Sequence, residues 1–144
     1  MKISTKGRYA LRMLIDLAEH QSSGYVSLKD ISKRQNVSKK YLEQIVPVLN
    51  TNNVLKTTRG FQGGYMLAAA PDKLTVGQIL RITEGSLSPV DYDDPDVSGD
   101  GSGEYAMLPI WKNLDRVINE YLDSVTLQDV LDNLRARYSN DYMI

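Results

Sequence analysis

Val54-Leu55-Lys56-Thr57-Thr58-Arg59-Gly60-Phe61-Gln62-Gly63-Gly64-Tyr65-Met66-Leu67 decides how the rest of the chain is read. Two short apolar runs flank a tip that holds three glycines and one arginine. Glycine reaches backbone conformations that other residues resist, so Gly60, Gly63 and Gly64 predict a hairpin with an irregular tip. Arg59 is then carried outward, away from any core.

Upstream, Ser4 is placed to cap a helix whose apolar face is Ala10, Met13, Leu14, Leu17 and Ala18, at helical spacing. Gly24 ends the next segment, and Tyr25-Val26 reads as a short strand. Ser27 caps a second helix to about Gln35, with Leu28 and Ile31 facing inward. Asn36-Val37 makes a turn, and Ser38 caps a third helix containing Tyr41, Leu42, Ile45 and Leu49. Pro47 inside that pattern lacks a backbone donor, which predicts a kink. A short helix, a turn, a lysine-rich helix and a glycine-tipped hairpin are the parts of a winged helix-turn-helix.

Downstream, Pro71-Asp72 is a turn, and Thr75 with Gln78 forms a capping box before Ile79, Leu80 and Ile82. From 86 to 103 the chain is rich in Asp, Gly, Ser and Pro, which bury little apolar surface. We expect a flexible acidic linker there. A further helix begins between Glu104 and Pro109 and runs to about Asp123, with Ile110, Trp111, Leu114, Val117, Ile118, Tyr121 and Leu122 on its apolar face. So wide a face on a loosely joined helix needs a partner, and a second copy of the chain is the commonest one. Thr126 with Asp129 opens a short final helix. The expected fold is mainly α with a small β-hairpin: a winged helix-turn-helix head over 1–85, a linker over 86–103, a dimerisation helix and short final helix over 104–138, and a tail over 139–144.

Charge divides along the same line. Residues 1–83 hold 13 Lys/Arg against 5 Asp/Glu, a net of +8, whereas 84–144 hold 4 against 13, a net of −9. The overall charge of −1 hides this asymmetry. A basic front half suits a polyanion. The 144 residues include no cysteine, which excludes disulfides and thiolate metal sites. No apolar run approaches the roughly 18 residues of a membrane span. The opening residues carry no signal-peptide core, so the expectation is a cytoplasmic protein without membrane contact.

The third helix offers Ser38, Lys39, Lys40, Glu43 and Gln44 on its polar side. Lysine donates to guanine, glutamine pairs with adenine and a carboxylate accepts from cytosine. A solvated polar face is the bland alternative, and the wing that follows favours DNA. Arg59 fits a narrow minor groove, and Lys2, Lys6, Arg8 and Arg12 are candidates for phosphate contacts. Asp96-Val97-Ser98-Gly99-Asp100-Gly101 begins like a calcium loop, but its twelfth position is Met107 rather than the glutamate required. His20, the lone histidine, is read as ending a helix. No nucleophile–base pair or metal cluster emerges, so no enzymatic activity is expected.

Ser4-Thr5-Lys6-Gly7-Arg8-Tyr9-Ala10, Tyr41-Leu42-Glu43-Gln44, Arg59-Gly60 with Gly63-Gly64-Tyr65, and Thr126-Leu127-Gln128-Asp129 resemble, in order, the bacterial Rrf-two regulators that include IscR, NsrR and CymR. The resemblance spans nearly the whole chain. It implies a homodimer whose long helices cross, presenting two heads to a palindromic duplex. It also implies that Lys40, Glu43 and Gln44 face bases while Arg59 enters the minor groove. The residue reading and the resemblance together give the expected DNA-contact set Lys6, Arg8, Ser38, Lys39, Lys40, Tyr41, Glu43, Gln44, Arg59 and Gly60. Iron–sulfur members carry three cysteines before the long helix, and this chain has none, so cluster sensing is excluded and no cofactor is expected.

Ser86-Leu87-Ser88-Pro89-Val90 and Leu122-Asp123-Ser124-Val125-Thr126-Leu127 resemble the cluster-free branch that represses cysteine metabolism, whose members act with cysteine synthase (O-acetylserine sulfhydrylase). The final Asp141, Tyr142, Met143 and Ile144 resemble the isoleucine-ended tails of serine acetyltransferases that dock in that synthase, which implies that they bind it; the alternative is a frayed terminus that happens to end apolar. The function expected is sequence-specific repression of cysteine or sulfur genes. The alternatives are a repressor that senses a small molecule, or an interaction protein acting mainly through its tail.

Overall fold

The computed structural model describes residues 2–60, 63–98 and 103–142. Helix α1 (Thr5–His20) starts where Ser4 Oγ accepts from the Gly7 amide at 3.0 Å. Its stripe of Ala10, Met13, Leu14 and Leu17 is buried, and α2 (Leu28–Gln35), α3 (Lys39–Thr51), α4 (Val76–Glu84) and α7 (Leu127–Tyr142) all pack against this helix. Each buried Leu, Ile or Met in such a core contributes about 1.5–3 kcal/mol. Leu28 and Ile31 of α2, Leu42, Ile45 and Leu49 of α3, and Ile79 of α4 complete it. Helix α3 continues through Pro47.

The hairpin is β1 (Leu55–Thr58) paired antiparallel to β2 (Gly64–Leu67), with Leu55 opposite Leu67 and Thr58 opposite Gly64. Val26 adds a third position to this sheet, exchanging hydrogen bonds with Tyr65 at 2.9 and 2.8 Å. Gly64 makes that approach practicable, since a Cβ there would lie 2.4 Å from the Val26 carbonyl oxygen. The Tyr25-Val26 strand is therefore a single bridging residue.

Beyond α4 the structure departs from the expected linker and tail. Leu87 is buried, and Pro95–Ser98 forms one turn of helix, α5, packed on α6 (Gly103–Ser124). The segment before residue 99 thus carries an apolar anchor and local structure that its polar composition conceals. Helix α6 starts at Gly103 and carries Pro109 as its seventh residue, past the first turn, where proline removes one backbone donor from the helix.

The final helix is not short. Thr126 and Asp129 cap it reciprocally at 3.0 Å in both directions, and it runs from Leu127 to Tyr142 because neither glycine nor proline interrupts it. Residues 139–142 of the expected tail therefore belong to α7, whereas Met143, Ile144 and the side chains of Asp141 and Tyr142 lie outside the described residues. Leu127 and Leu131 are buried, and two backbone bonds of 2.9 Å join 74–76 to 125–127, fastening α7 to the head. No described helix is long and apolar enough to cross a membrane.

Candidate nucleic-acid interface

Asn36 sets the turn between α2 and α3 by adopting the left-handed conformation at φ 53°, a region asparagine tolerates better than most residues. Ser32 Oγ donates to the Val37 carbonyl at 2.6 Å, and Val37 is itself buried, so the turn is held from both sides. Ser38 Oγ accepts from the Tyr41 amide at 3.0 Å and starts α3. With Leu42, Ile45, Val46 and Leu49 inside, the 3.6-residue repeat turns Lys39, Lys40, Glu43 and Gln44 outward, and all four are exposed. The first turn holds no acidic residue, so its two lysines and the positive end of the helix present one sign of charge. Glu43, one turn on, is the lone carboxylate of α3.

The wing stands beside this helix: Thr57 Oγ1 of β1 donates to Asn50 Oδ1 of α3 at 3.3 Å. Arg59 and Gly60 are exposed at its tip, where Gly60 takes φ 106°, a value that would strain any other residue. The Gly63 amide closes back on the Gly60 carbonyl at 2.9 Å. Phe61 and Gln62 lie outside the described residues. Lys56 of β1 is an exposed cation that the sequence reading passed over, although its alternation with buried Leu55 was the signal for it.

Tyr41 is placed differently from its neighbours. Its half-buried ring meets Tyr9 of α1 edge-on, with centroids 5.3 Å apart and planes at 74°. The Arg8 and Arg12 guanidiniums stand 5.9 and 5.1 Å from the Tyr9 ring centre. Arg12 also donates from Nε to Gln35 Oε1 at 3.3 Å and from Nη2 to the Gln35 carbonyl, so it caps the end of α2. Arg8 donates to Thr5 Oγ1 at 3.2 Å and, like Lys2, is exposed, whereas Lys6 is half-buried. Arg12 and Tyr41 are thus tied into the contacts that orient the helices.

A second orienting network was missed by the sequence reading. Asp16, only 1% exposed, accepts from Arg34 Nε at 2.9 Å, from Arg34 Nη2 at 2.7 Å and from Gln35 Nε2 at 3.1 Å. The hydrogen bond to Asp16 raises the Arg34 pKa above its ordinary value, and the charges of Asp16, Asp30 and Glu19 add to the effect while burial opposes it. The available signal was a carboxylate inside the Met13/Leu17 arc of α1. At the opposite end, Glu84 of α4 accepts from the Ser4 amide at 3.1 Å and from Ser4 Oγ at 2.6 Å, reinforcing the cap of α1.

The residues expected to dimerise occupy two sides of α6. Ile110, Leu114, Val117 and Tyr121 are 41–65% exposed and recur at a spacing close to a heptad. Trp111, Ile118 and Leu122 are half-buried. Arg81 of α4 donates to Asn119 Oδ1 at 2.9 Å and pairs with Asp123, which fixes the packing of α6 against α4.

Two capped helices around a tight turn, an outward cationic helix face and a glycine-tipped wing define a winged-helix DNA-binding transcriptional regulator. The family model Rrf2, described as an iron-dependent transcriptional regulator, matches residues 3–133, and the chain belongs to the Rrf2 family. It is 42% identical over 130 residues to the HTH-type transcriptional regulator CymR of Bacillus subtilis (strain 168), covering 90% of this chain and 89% of that protein. The solved structure of CymR (YrzC), the global cysteine regulator of B. subtilis, matches with a TM-score of 0.81 at 41% identity, over 92% of this chain and 98% of that one. T. potens IscR matches with a TM-score of 0.74 at 40% identity, over 93% and 88% of the two chains. These relatives are regulators, and this chain is a regulator rather than an enzyme.

The word iron in the family description does not fit the donor set here. The chain has no cysteine and one histidine, and the described residues contain no group of three or more His, Asp or Glu arranged to hold a metal. A cluster held by cysteine thiolates has no ligands in this sequence.

Proposed function

We propose that the chain is a cytoplasmic, homodimeric repressor that reads a palindromic duplex and controls genes of cysteine or sulfur metabolism. The observation that carries the DNA reading is the exposed Lys39, Lys40, Glu43 and Gln44 face of a Ser38-capped helix, beside a wing that presents Arg59. In this reading Lys40, Glu43 and Gln44 meet base edges, Arg59 enters the minor groove, and Ser38, Lys39, Lys6, Arg8 and Gly60 hold the phosphates. Tyr41 acts chiefly by seating the helix on Tyr9.

The exposed Ile110, Leu114, Val117 and Tyr121 stripe supports the dimer, because an unpartnered apolar stripe on a long helix is costly in water. Trp111 adds to this, its buried indole N–H having no acceptor among the described residues. The metabolic assignment is supported by the likeness to the B. subtilis protein described as the global cysteine regulator. Cysteine synthase, engaged through Asp141, Tyr142, Met143 and Ile144, is the proposed partner enzyme. Deleting Ile144 should weaken binding to purified synthase, and unchanged affinity would remove the tail from the proposal.

The central test is fluorescence anisotropy on duplexes selected from a random pool, across salt concentrations. Affinity should fall steeply with salt, by about 0.9 log unit per phosphate contact for each tenfold rise. Arg59→Ala should weaken binding most at A·T-rich flanks. Glu43→Ala should relax base preference, losing about 1–3 kcal/mol of discrimination at one position. Wild-type affinity and preference in both variants would refute the assigned DNA face.

A further inference from the structure

Helix α7 does not close flush on the head. Between it, α1 and the end of α2 lies a groove of about 450 Å³, within the range of about 300–1,000 Å³ typical of small-molecule sites. Leu11 and Ile15 of α1 face Val130 and Leu134 of α7 across it. Charged residues line the same groove. Arg34 is already answered by Asp16, but Arg12 bonds only the neutral oxygens of Gln35 and has no carboxylate within ion-pair reach among the described residues. Glu19, on the same helix, has the His20 ring beside it at 3.7 Å and acts on Arg34 through its charge, but forms no hydrogen-bonded ion pair with a Lys or Arg among the described residues.

We propose that this groove binds a small zwitterion with an apolar side chain, of the size of an α-amino acid. The carboxylate lies on Arg12, the ammonium group lies on Glu19, and the side chain lies between Leu11, Ile15, Val130 and Leu134. Seven residues separate Arg12 from Glu19, about 10.5 Å at the rise of an α-helix. Two hydrogen bonds of about 2.9 Å and the width of an amino-acid head group span most of that distance, and Arg12 closes the rest by turning from Tyr9 and Gln35 toward Glu19. A purely anionic ligand would meet Glu19 and Asp16, whereas a neutral apolar one would leave Arg12 without an anion.

Arg12 also holds Gln35 at the end of α2 and stands on Tyr9, against which Tyr41 of α3 packs. A carboxylate competing for Arg12 therefore acts on the contacts that seat the recognition helix. This consequence rests on the proposed DNA role of α3, but binding itself does not.

Isothermal titration of the full-length protein with L-leucine, 4-methylpentanoate and 3-methylbutylamine tests the site without DNA. L-leucine should bind, and each half-analogue should bind at least about tenfold more weakly, as expected for loss of one charged hydrogen-bonding group. Glu19→Gln should bring L-leucine and 4-methylpentanoate to equal affinity, and Leu134→Trp should fill the groove and abolish binding. If Leu134→Trp fails to fold, Glu19→Gln decides. No heat from L-leucine, equal affinity for all three probes, or unchanged discrimination in Glu19→Gln would overturn the proposal. Binding of L-leucine that leaves affinity for a selected duplex unchanged would retain the site and refute its coupling to DNA.

Discussion

Arg34→Met should destabilise the protein more than Asp16→Ala, although both remove the same pair. The two partners sit in different surroundings: the Asp16 side chain is 1% exposed and that of Arg34 is 34% exposed. Removing one member of a buried ion pair costs about 3–5 kcal/mol, because the other charge stays desolvated. Arg34→Met leaves Asp16 with the Gln35 amide at 3.1 Å and the His20 ring nitrogen at 3.7 Å, too little to replace a two-point guanidinium contact, and belongs inside that range. Asp16→Ala strands Arg34, which water still reaches, so its cost falls to about 2–3 kcal/mol once that screening is counted. In the double variant no charge is stranded, and its cost should lie below the sum by about 1–3 kcal/mol.

Urea unfolding monitored by far-UV circular dichroism, at fixed protein concentration, gives the four corners of the cycle. In a chain of 144 residues, Arg34→Met should lower the midpoint temperature by roughly 10 °C. The sign with pH follows from the raised Arg34 pKa. A cation whose pKa is raised by folding contributes stability that is fully present below its unfolded pKa and is lost only as pH rises through the folded value. For an arginine that window is strongly alkaline, so the Arg34 contribution should be constant between about pH 6 and 9. Additive single costs, or Asp16→Ala being the more damaging substitution, would refute the argument from unequal burial.

Three further outcomes follow from other parts of the fold. Gly64→Ala should destabilise by about 1–3 kcal/mol, since its Cβ would overlap the Val26 carbonyl and part the Val26–Tyr65 bridge; a loss below about 0.5 kcal/mol by urea unfolding would mean that the wing yields easily. Ser38→Ala should cost about 1 kcal/mol by removing the acceptor for the Tyr41 amide, and should weaken DNA binding through fraying of the first turn of α3; equal stability would show the cap to be dispensable. Leu114→Glu combined with Val117→Glu should convert the proposed dimer to monomer in sedimentation equilibrium while leaving the head folded, and a dimer that survives both charges does not use this stripe.

What was legible in the sequence was local. Ser4, Ser27, Ser38 and Thr75 each cap the helix assigned to them, because a cap is decided by residues three positions apart. The apolar stripes of α1 and α3 identify their buried sides for the same reason. Contacts between distant positions were not legible. Asp16 with Arg34 and Glu84 with Ser4 join residues 18 and 80 positions apart, and no spacing rule links such pairs. The end of α7 was misjudged for a different reason. Its apolar stripe fades after Leu134, but helix propensity continues where nothing breaks it.

Helix α6 shows why the candidate site needed packing as well as pattern. Its sequence presents one broad apolar face, and periodicity alone assigns that whole face to a partner. Arg81 reaching Asn119 and Asp123 fixes the rotation of α6 against α4, and this rotation divides the face. Trp111, Ile118 and Leu122 are half-buried within the chain, whereas Ile110, Leu114, Val117 and Tyr121 remain exposed. The split matters for any second copy, because a stripe four residues wide at near-heptad spacing suits a helix crossing at a shallow angle. The same helix that would join two chains is therefore also bonded to α4, whose Glu84 holds the start of α1. A change at this exposed stripe therefore has a short, bonded route through α4 to α1, against which α3 packs.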